Sequence, residues 1–207
     1  VAGDAILCRL NKPNVAMALE LIRAGKRARI EGRDLGKRLA SLPKQATGQY
    51  LFRSLNELIV DVEDWCEEQC RLLAAKERLG QAELLKDEVA CVTLLMERCL
   101  SQGKTDYADL DWMIAELFDD DVDAREFITL SSIHKSKGRE WGRVYILGRS
   151  DYMPFFMATQ PWEKQQERNL EYVAKTRAER ALVYITDVKS WLDSRSAVQV
   201  PTTCNHL

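Results

Sequence analysis

Short apolar runs of the length of buried strands occur near both ends of the chain, and helical patterns separate them. The runs cover residues 5–8, 28–30, 127–130, 144–147 and 182–185. Between the first runs, Pro13 opens a helix whose apolar face includes Leu19 and Ile22, and a second helix is predicted over 32–42. Another helix, over about 162–180, precedes the last run. Because strands that alternate with helices form parallel sheets, the sequence predicts an α/β fold.

The stretch after Pro43 has a different pattern, with three helices predicted over 54–78, 80–102 and 106–118. We place one apolar face of the helix over 80–102 at five positions, which are Leu84, Leu85, Val89, Val92 and Leu95. Trp65 and Trp112 are expected in the core or at the interface of this block, and the acidic run 119–123 in an exposed loop. The chain therefore divides into an α/β domain, residues 1–44 and 127–207, and a mostly helical insertion, residues 45–126.

Charge is strongly segregated along the chain, although the formal net charge is only −2. Residues 1–44 hold ten Lys and Arg against four Asp and Glu, residues 45–128 hold eight against twenty, and residues 129–207 hold twelve against eight. Such basic ends suit polyanionic ligands. The acidic middle is expected to be repelled by DNA, and hence to contact protein or to remain solvated.

Composition excludes several classes of protein. No run of about 18 apolar residues is present, and no basic-then-apolar signal opens the chain, so we expect a cytoplasmic protein without membrane contact. The six cysteines lack paired Cys-x-x-Cys spacing and only two histidines occur. We therefore expect reduced thiols and no metal site.

A dense set of polar and basic residues follows the strand pattern at 127–130. The segment from Ser132 to Trp141 reads Ser-Ile-His-Lys-Ser-Lys-Gly-Arg-Glu-Trp. Hydroxyl, imidazole and ammonium groups position nucleic-acid phosphates, and open α/β folds bind ligands at the carboxyl edge of the sheet. Gly138 would let the backbone turn or approach a ligand closely. A plain polar loop is the alternative interpretation.

A second basic segment precedes the last strand pattern. Residues 167–178 read Glu-Arg-Asn-Leu-Glu-Tyr-Val-Ala-Lys-Thr-Arg-Ala. The planar, permanently charged fork of Arg177 suits the oxygens of a transferring phosphoryl group. The alternative is a surface arginine that pairs with Glu171 or Glu179. No Gly-rich loop ending in Gly-Lys-Ser/Thr occurs in the sequence, so the usual phosphate-binding loop is missing from it.

Together these two segments resemble motifs V and VI of the UvrD/Rep type of superfamily 1 DNA helicase. The first family motif reads roughly Thr-hydrophobic-His-x-x-Lys-Gly-Leu-Glu-aromatic, from which Ser132 and Arg139 depart. The second reads Glu-Arg-Arg-Leu-x-Tyr-Val-Ala-x-Thr-Arg-Ala, and Asn169 replaces one arginine. Arg9, which ends the run Ile-Leu-Cys-Arg, resembles the strand-end arginine of motif IV.

The resemblance implies a role in ATP binding for three residues. Arg177 maps to the arginine finger that reaches the γ-phosphate, and Arg9 to a second γ-phosphate contact. Both are therefore the predicted catalytic residues. Glu140 would accept a hydrogen bond from the ATP ribose.

The resemblance also implies contacts to the backbone of single-stranded DNA. Ser132 and His134 would touch it or relay its presence to the nucleotide, and Lys137 would support that relay. Arg33 falls where family members carry a Gly-containing link, so we treat it as a candidate phosphate contact, with a solvated helix start as the alternative.

The fold implied by the resemblance is a RecA-like motor domain that lacks the phosphate-binding loop, within an ATP-dependent 3′-to-5′ helicase. ATP and Mg²⁺ would be bound only jointly with an N-terminal RecA-like motor domain, so we expect no hydrolysis by this chain alone. The other expected partners are single-stranded DNA and a protein at the acidic insertion. The alternative is a non-hydrolysing interaction module with a helicase fold that binds protein or DNA.

Overall fold

The structure of the chain is a computed structural model that describes residues 1–48, 53–119 and 123–186. The first half contains β1 (Ala5–Cys8), α1 (Asn11–Arg23), β2 (Ala28–Ile30) and α2 (Arg33–Thr47). Three helices follow, namely α3 (Leu55–Ala75), α4 (Leu79–Ser101) and α5 (Tyr107–Leu117), and then a 3₁₀ turn (Ala124–Glu126). The last part contains β3 (Ile128–Ser132), β4 (Trp141–Leu147), α6 (Arg149–Tyr152), α7 (Pro161–Lys175) and β5 (Ala178–Ile185).

The five strands form one parallel sheet in the order β2-β3-β1-β4-β5. β1 is central, and its Ile6 lies opposite Leu130 of β3 and Tyr145 of β4. The predicted α/β fold with a parallel sheet is therefore confirmed. Because all strands run in one direction, the residues that follow β1 and β3 meet at one edge of the sheet, while those that precede β4 and β5 meet at the other.

Helices and loops cover both faces of β1, whose four residues are all buried. Ile6 and Cys8 point to one face and pack in a core that α1 to α5 share. Ala5 and Leu7 point to the opposite face, where they pack with Ile133 and with apolar residues of α7. A strand that is covered on both faces is apolar throughout, which explains why β1 has no alternating pattern.

The three middle helices begin within one residue of their predicted starts, and two of them have a capping box. Ser54 and Glu57 form a capping box at the start of α3, in which Glu57 Oε2 accepts a hydrogen bond from the Ser54 backbone nitrogen at 2.9 Å. Asp106 and Asp109 form the equivalent box at α5. Because α3 to α5 share one hydrophobic core with α1 and α2, the division into a domain and an insertion at residues 45–126 stays a prediction.

Two helices end about five residues from their predicted ends, and α3 ends at Ala75, three residues before its predicted end. α2 continues through Pro43 to Thr47 instead of ending at residue 42, because Leu42 and Pro43 pack into the core and offset the hydrogen bond that a proline cannot donate. α7 ends at Lys175 instead of near residue 180, because the backbone from Ala178 onward pairs with β4.

Several large side chains are more exposed than predicted. Leu84 of α4 is 51% exposed and Ile22 of α1 is 43% exposed, so both lie beside rather than within the apolar faces of their helices. Trp112 is 57% exposed, whereas Trp65 is partly buried against the core as expected.

In the described part of the chain, no helix combines the length and apolarity that crossing a membrane requires. Five cysteines are free thiols, and the sixth, Cys204, lies outside the described residues. Positions 120–122 of the predicted acidic loop also lie outside them.

Candidate functional site

The segment between β3 and β4 begins with a tight turn at the carboxyl end of β3. The carbonyl of Ser132 accepts hydrogen bonds from the backbone nitrogens of Lys135 at 3.0 Å and Ser136 at 3.1 Å. The buried Ser136 hydroxyl donates to the carbonyl of Ile133 at 2.8 Å, and Ile133 packs into the sheet. The buried side chains of Ile133 and Ser136 thus anchor the turn to the sheet, and its other side chains face outward.

The outward side chains of this turn are those predicted to meet DNA. His134 and Lys137 are exposed, and Ser132 is half-buried at the end of β3. Gly138 has a φ of 78°, a conformation that favours glycine, and a Cβ at that position would meet no atom within 4 Å. Gly138 is therefore required by the backbone turn and not by close packing.

Arg9 follows β1 at the same edge of the sheet and is bound to Glu167 of α7. Its Nε lies 3.1 Å from each carboxylate oxygen and one terminal nitrogen lies 2.9 Å from Oε1. Both side chains are largely buried, at 18% and 7% exposure. Glu167 also accepts a hydrogen bond from the backbone nitrogen of Phe155 at 3.0 Å, and the Arg9 guanidinium lies 4.8 Å from the Phe155 ring centroid. Nothing in the sequence of either motif indicated this pair.

His134 lies within electrostatic range of that ion pair. Partial burial lowers the pKa of the His134 imidazole most, the positive charges of Arg9 and Lys137 lower it further, and the Glu167 carboxylate opposes them. His134 is therefore neutral at pH 7, with one ring nitrogen to donate a hydrogen bond and one to accept. The structure thus brings Arg9 and His134 together at the carboxyl edge of the sheet.

Arg177 lies in the turn between α7 and β5, where neutral groups hold its guanidinium. Nε donates to the carbonyl of Val173 at 3.0 Å, and the two terminal nitrogens donate to the carbonyl of Arg139 at 2.9 Å and to Thr176 Oγ1 at 3.0 Å. In the ranges that the structure describes, no carboxylate pairs with it. Glu171, one of the expected surface partners, binds Arg149 and Lys175 instead. The positive charge of Arg177 is thus oriented but not neutralised.

Glu140 is the immediate neighbour of this arginine. The carbonyl of Arg139 accepts from the Arg177 side chain, and the backbone nitrogen of Trp141 donates to the Arg177 carbonyl at 2.9 Å. Glu140 lies between these two residues and is exposed. The two residues predicted to bind the γ-phosphate and the ribose are therefore held side by side.

Arg139 is also fixed through its side chain, which forms an ion pair with Glu31 immediately after β2. Glu31 is 6% exposed, and neither of its carboxylate oxygens has a hydrogen-bond partner. Lys135 lies beside the same turn, since its Nζ would be 2.8 Å from a Cβ at Gly32. The β2–α2 turn therefore supports the segment between β3 and β4, which the sequence did not reveal.

The structure does not bring all predicted residues into one place. Arg9 follows Cys8, which pairs with Leu147 at the end of β4, whereas Arg177 precedes Ala178, which pairs with Trp141 at its start. The length of β4 places their backbones roughly 20 Å apart along the strand direction.

Arg33 follows Gly32, so it begins α2 beside the turn that Lys135 approaches. It is exposed at the start of α2 and lines a groove with Asp111 of α5.

Comparisons with known proteins agree with this geometry. Residues 106–189 match the family model of the UvrD-like helicase C-terminal domain. The ATP-dependent DNA helicase PcrA of Staphylococcus epidermidis is 33% identical over 115 residues, which cover 53% of this chain and 15% of the relative. PcrA of Staphylococcus aureus is 35% identical over 102 residues, covering 47% of this chain and 13% of the relative. The matched region is thus a small part of those proteins.

Residues 106–189 are thus similar to the C-terminal domain of UvrD-like helicases, and the parallel α/β sheet is the fold that the resemblance implies. The family match and these identities confirm the resemblance of the chain to the C-terminal part of UvrD/Rep-like helicases.

Proposed function

We propose that the chain acts as the second RecA-like motor domain of an ATP-dependent enzyme that moves 3′-to-5′ along single-stranded DNA. The nucleotide would lie between this domain and a first motor domain, which supplies the lysine of the phosphate-binding loop. Within the described ranges, no three His, Cys, Asp or Glu side chains lie close enough to hold a metal ion. We therefore assign the Mg²⁺ ligands to the first motor domain, and expect no hydrolysis by this chain alone.

The observation that carries the proposal is the state of Arg177. Its guanidinium is held by three neutral oxygen atoms, and no carboxylate pairs with it in the described part of the chain. A preorganised, unneutralised guanidinium beside the exposed Glu140 fits a nucleotide triphosphate, because the arginine complements phosphoryl oxygens and the carboxylate complements a ribose hydroxyl. When bound, the nucleotide supplies the phosphoryl group, and Arg177 stabilises the negative charge that develops on it.

On the DNA side, the proposal uses the outward turn after β3. Ser132, His134 and Lys137 share this turn and face away from the core. A hydroxyl, a neutral imidazole and an ammonium group can each donate to phosphate oxygens without reading the base sequence. Arg33 would add a more distant phosphate contact from the start of α2.

The role proposed for Arg9 requires that its side chain change partners. To contact a γ-phosphate, its guanidinium would have to leave Glu167, which holds it with three close nitrogen–oxygen contacts. We propose that Arg9 takes part in catalysis only after this exchange of partners, whereas Arg177 needs none. The acidic stretch 45–126 would contact a protein partner in place of DNA, because its charge repels a phosphate backbone.

The test joins this chain to the first motor domain from the same gene and measures ATP hydrolysis stimulated by single-stranded DNA. Arg177→Ala should lower kcat by about 10³-fold or more, as for other arginine fingers. Arg168→Ala, an exposed arginine of α7 that contacts Gln165, is the matched control and should change kcat little. If Arg177→Ala keeps kcat close to the unmodified value, the arginine-finger role is wrong. DNA-stimulated hydrolysis by this chain alone would contradict the need for a partner domain.

A further inference from the structure

A groove on the α1 side of the sheet has no part in the proposed motor function. It has a volume of about 500 Å³ and lies between α1, α5 and the end of α4. Leu19, Met113 and Leu117 form apolar parts of its lining. Ile22 and Trp112 also line the groove, and both side chains are exposed. Exposed apolar surface with an aromatic ring at its rim is typical of protein interaction sites.

Positive charge surrounds this groove. Lys26, Arg27, Arg98 and Lys104 all line it, against the single carboxylate of Glu116. Arg27 is already paired with Glu126. By contrast, the side chains of Lys26, Arg98 and Lys104 make no ion pair in the part of the chain that the structure describes. Arg98 and Lys104 are two of the eight basic residues in the stretch 45–128, in which acidic residues outnumber basic ones by twenty to eight.

The exposed indole and one cation already contact each other. The Lys104 ammonium lies 4.5 Å from the centroid of the Trp112 ring. Such a contact orients the ammonium and the ring together at low entropic cost, yet leaves the ammonium without a counter-ion. A ligand that supplies a carboxylate to Lys104 and an apolar group to the groove floor would satisfy both.

We propose that this groove binds an acidic peptide segment of another protein, one that carries a bulky apolar side chain between its carboxylates. The apolar side chain would occupy the groove floor, and the carboxylates would pair with Arg98, Lys104 and Lys26. A symmetric contact between the grooves of two copies fits less well, because two basic grooves repel each other. DNA also fits less well, because its continuous phosphates would pass Glu116 in the lining and Glu126, the partner of Arg27, whereas a peptide can place its carboxylates away from both.

The groove lies on the face of the sheet that α1 covers, opposite the face that carries α7 and the turn after β3. Its function is therefore separable from Arg177 and from the DNA contacts predicted in the turn after β3. Variants in the groove should leave single-stranded DNA binding unchanged, so failure of this proposal and failure of the motor proposal are distinguishable.

The experiment selects binders to the whole chain from a random peptide library, with Arg98→Glu/Lys104→Glu as the counter-selected variant. Lys76→Glu/Arg78→Glu reverses the same two residue types at exposed positions outside the groove, and is the matched control. We expect enrichment of acidic peptides with an aromatic or aliphatic residue. Their affinity, measured by fluorescence anisotropy, should fall at least about tenfold in the groove variant and less than about twofold in the control.

A second variant keeps the proposal testable if charge reversal disturbs folding. Trp112→Ala removes an exposed ring, so the thermal midpoint should change little while peptide affinity falls severalfold. The proposal is overturned if no peptides are enriched, if the enriched peptides lack acidic residues, or if they bind both charge-reversal variants equally. Competition by an oligothymidylate that is lost in the groove variant would reassign the groove to nucleic acid and overturn it as well.

Discussion

Replacing Arg139 by leucine, the residue usual in the helicase motif, should destabilise this particular chain. Arg139 is the ion-pair partner of Glu31, whose side chain is only 6% exposed and whose oxygens have no hydrogen-bond partner in the described part of the chain. Removing one partner of a buried ion pair destabilises a protein by about 3–5 kcal/mol, because the other charge is left without compensation. Arg139 is itself 53% exposed, so water already screens the pair. We therefore expect a loss of about 2–3 kcal/mol for Arg139→Leu.

The assay is urea unfolding of the whole chain, followed by circular dichroism, for a double-mutant cycle. Arg139→Leu alone should show the full loss, whereas Glu31→Gln combined with Arg139→Leu should recover at least about 1 kcal/mol of it, because no charge is then buried. Arg139→Lys keeps a cation and is the control, with an expected loss below about 1 kcal/mol. If Arg139→Leu changes the free energy of unfolding by less than about 0.5 kcal/mol, or if the two substitutions are additive, Glu31 does not depend on Arg139.

Three further predictions concern residues of the same region. Burial and nearby cations lower the pKa of His134 in the folded chain. Its neutral form therefore contributes stability that is present above about pH 6.5 and is lost as the pH falls through the lowered pKa. Unfolding measured as a function of pH should show a smaller loss of stability in His134→Gln. Gly138→Ala should lower the free energy of unfolding by about 1 kcal/mol through its positive φ alone, whereas Gly80→Ala in α4 should raise it slightly; equal effects would contradict the backbone explanation. Glu167→Gln weakens the hold on Arg9, so the affinity of the two-domain protein for a fluorescent ATP analogue should rise, measured by anisotropy; unchanged affinity would mean that Arg9 does not reach the γ-phosphate.

Elements whose burial follows from their own residues could be predicted from the sequence. β1 was recognisable because a strand covered on both faces is apolar at every position. On α4, Leu85 lies one helical turn before Val89 and shares its face. Leu84 is five residues before Val89, which rotates it by roughly 140° away, and it is exposed. The error arose from counting apolar residues without fixing the centre of the buried face.

Partners that come from separate elements could not be predicted. Arg9 and Glu167 are 158 residues apart, and both belong to motifs that the sequence analysis recognised, yet nothing in either motif names the other. They meet because β1 is the central strand of the sheet and α7 packs on the face to which Ala5 and Leu7 of β1 point. The pairing of Glu31 with Arg139 depends in the same way on strand order, which a single sequence does not encode locally.

The position of Arg177 depends both on residues next to it in the sequence and on a strand pairing that the sequence does not show. The sequence predicted it within a helix, but β4 begins at Trp141, three residues earlier than the apolar run suggests. Because Trp141 pairs with Ala178, β5 must also begin early, and α7 must end at Lys175 to allow it. Arg177 then falls in the turn between helix and strand, where its backbone meets Trp141 and its side chain meets the carbonyl of Arg139. The length of β4 therefore determines that Arg177 lies beside Glu140, so the geometry of one motif is set by the strand that follows the other.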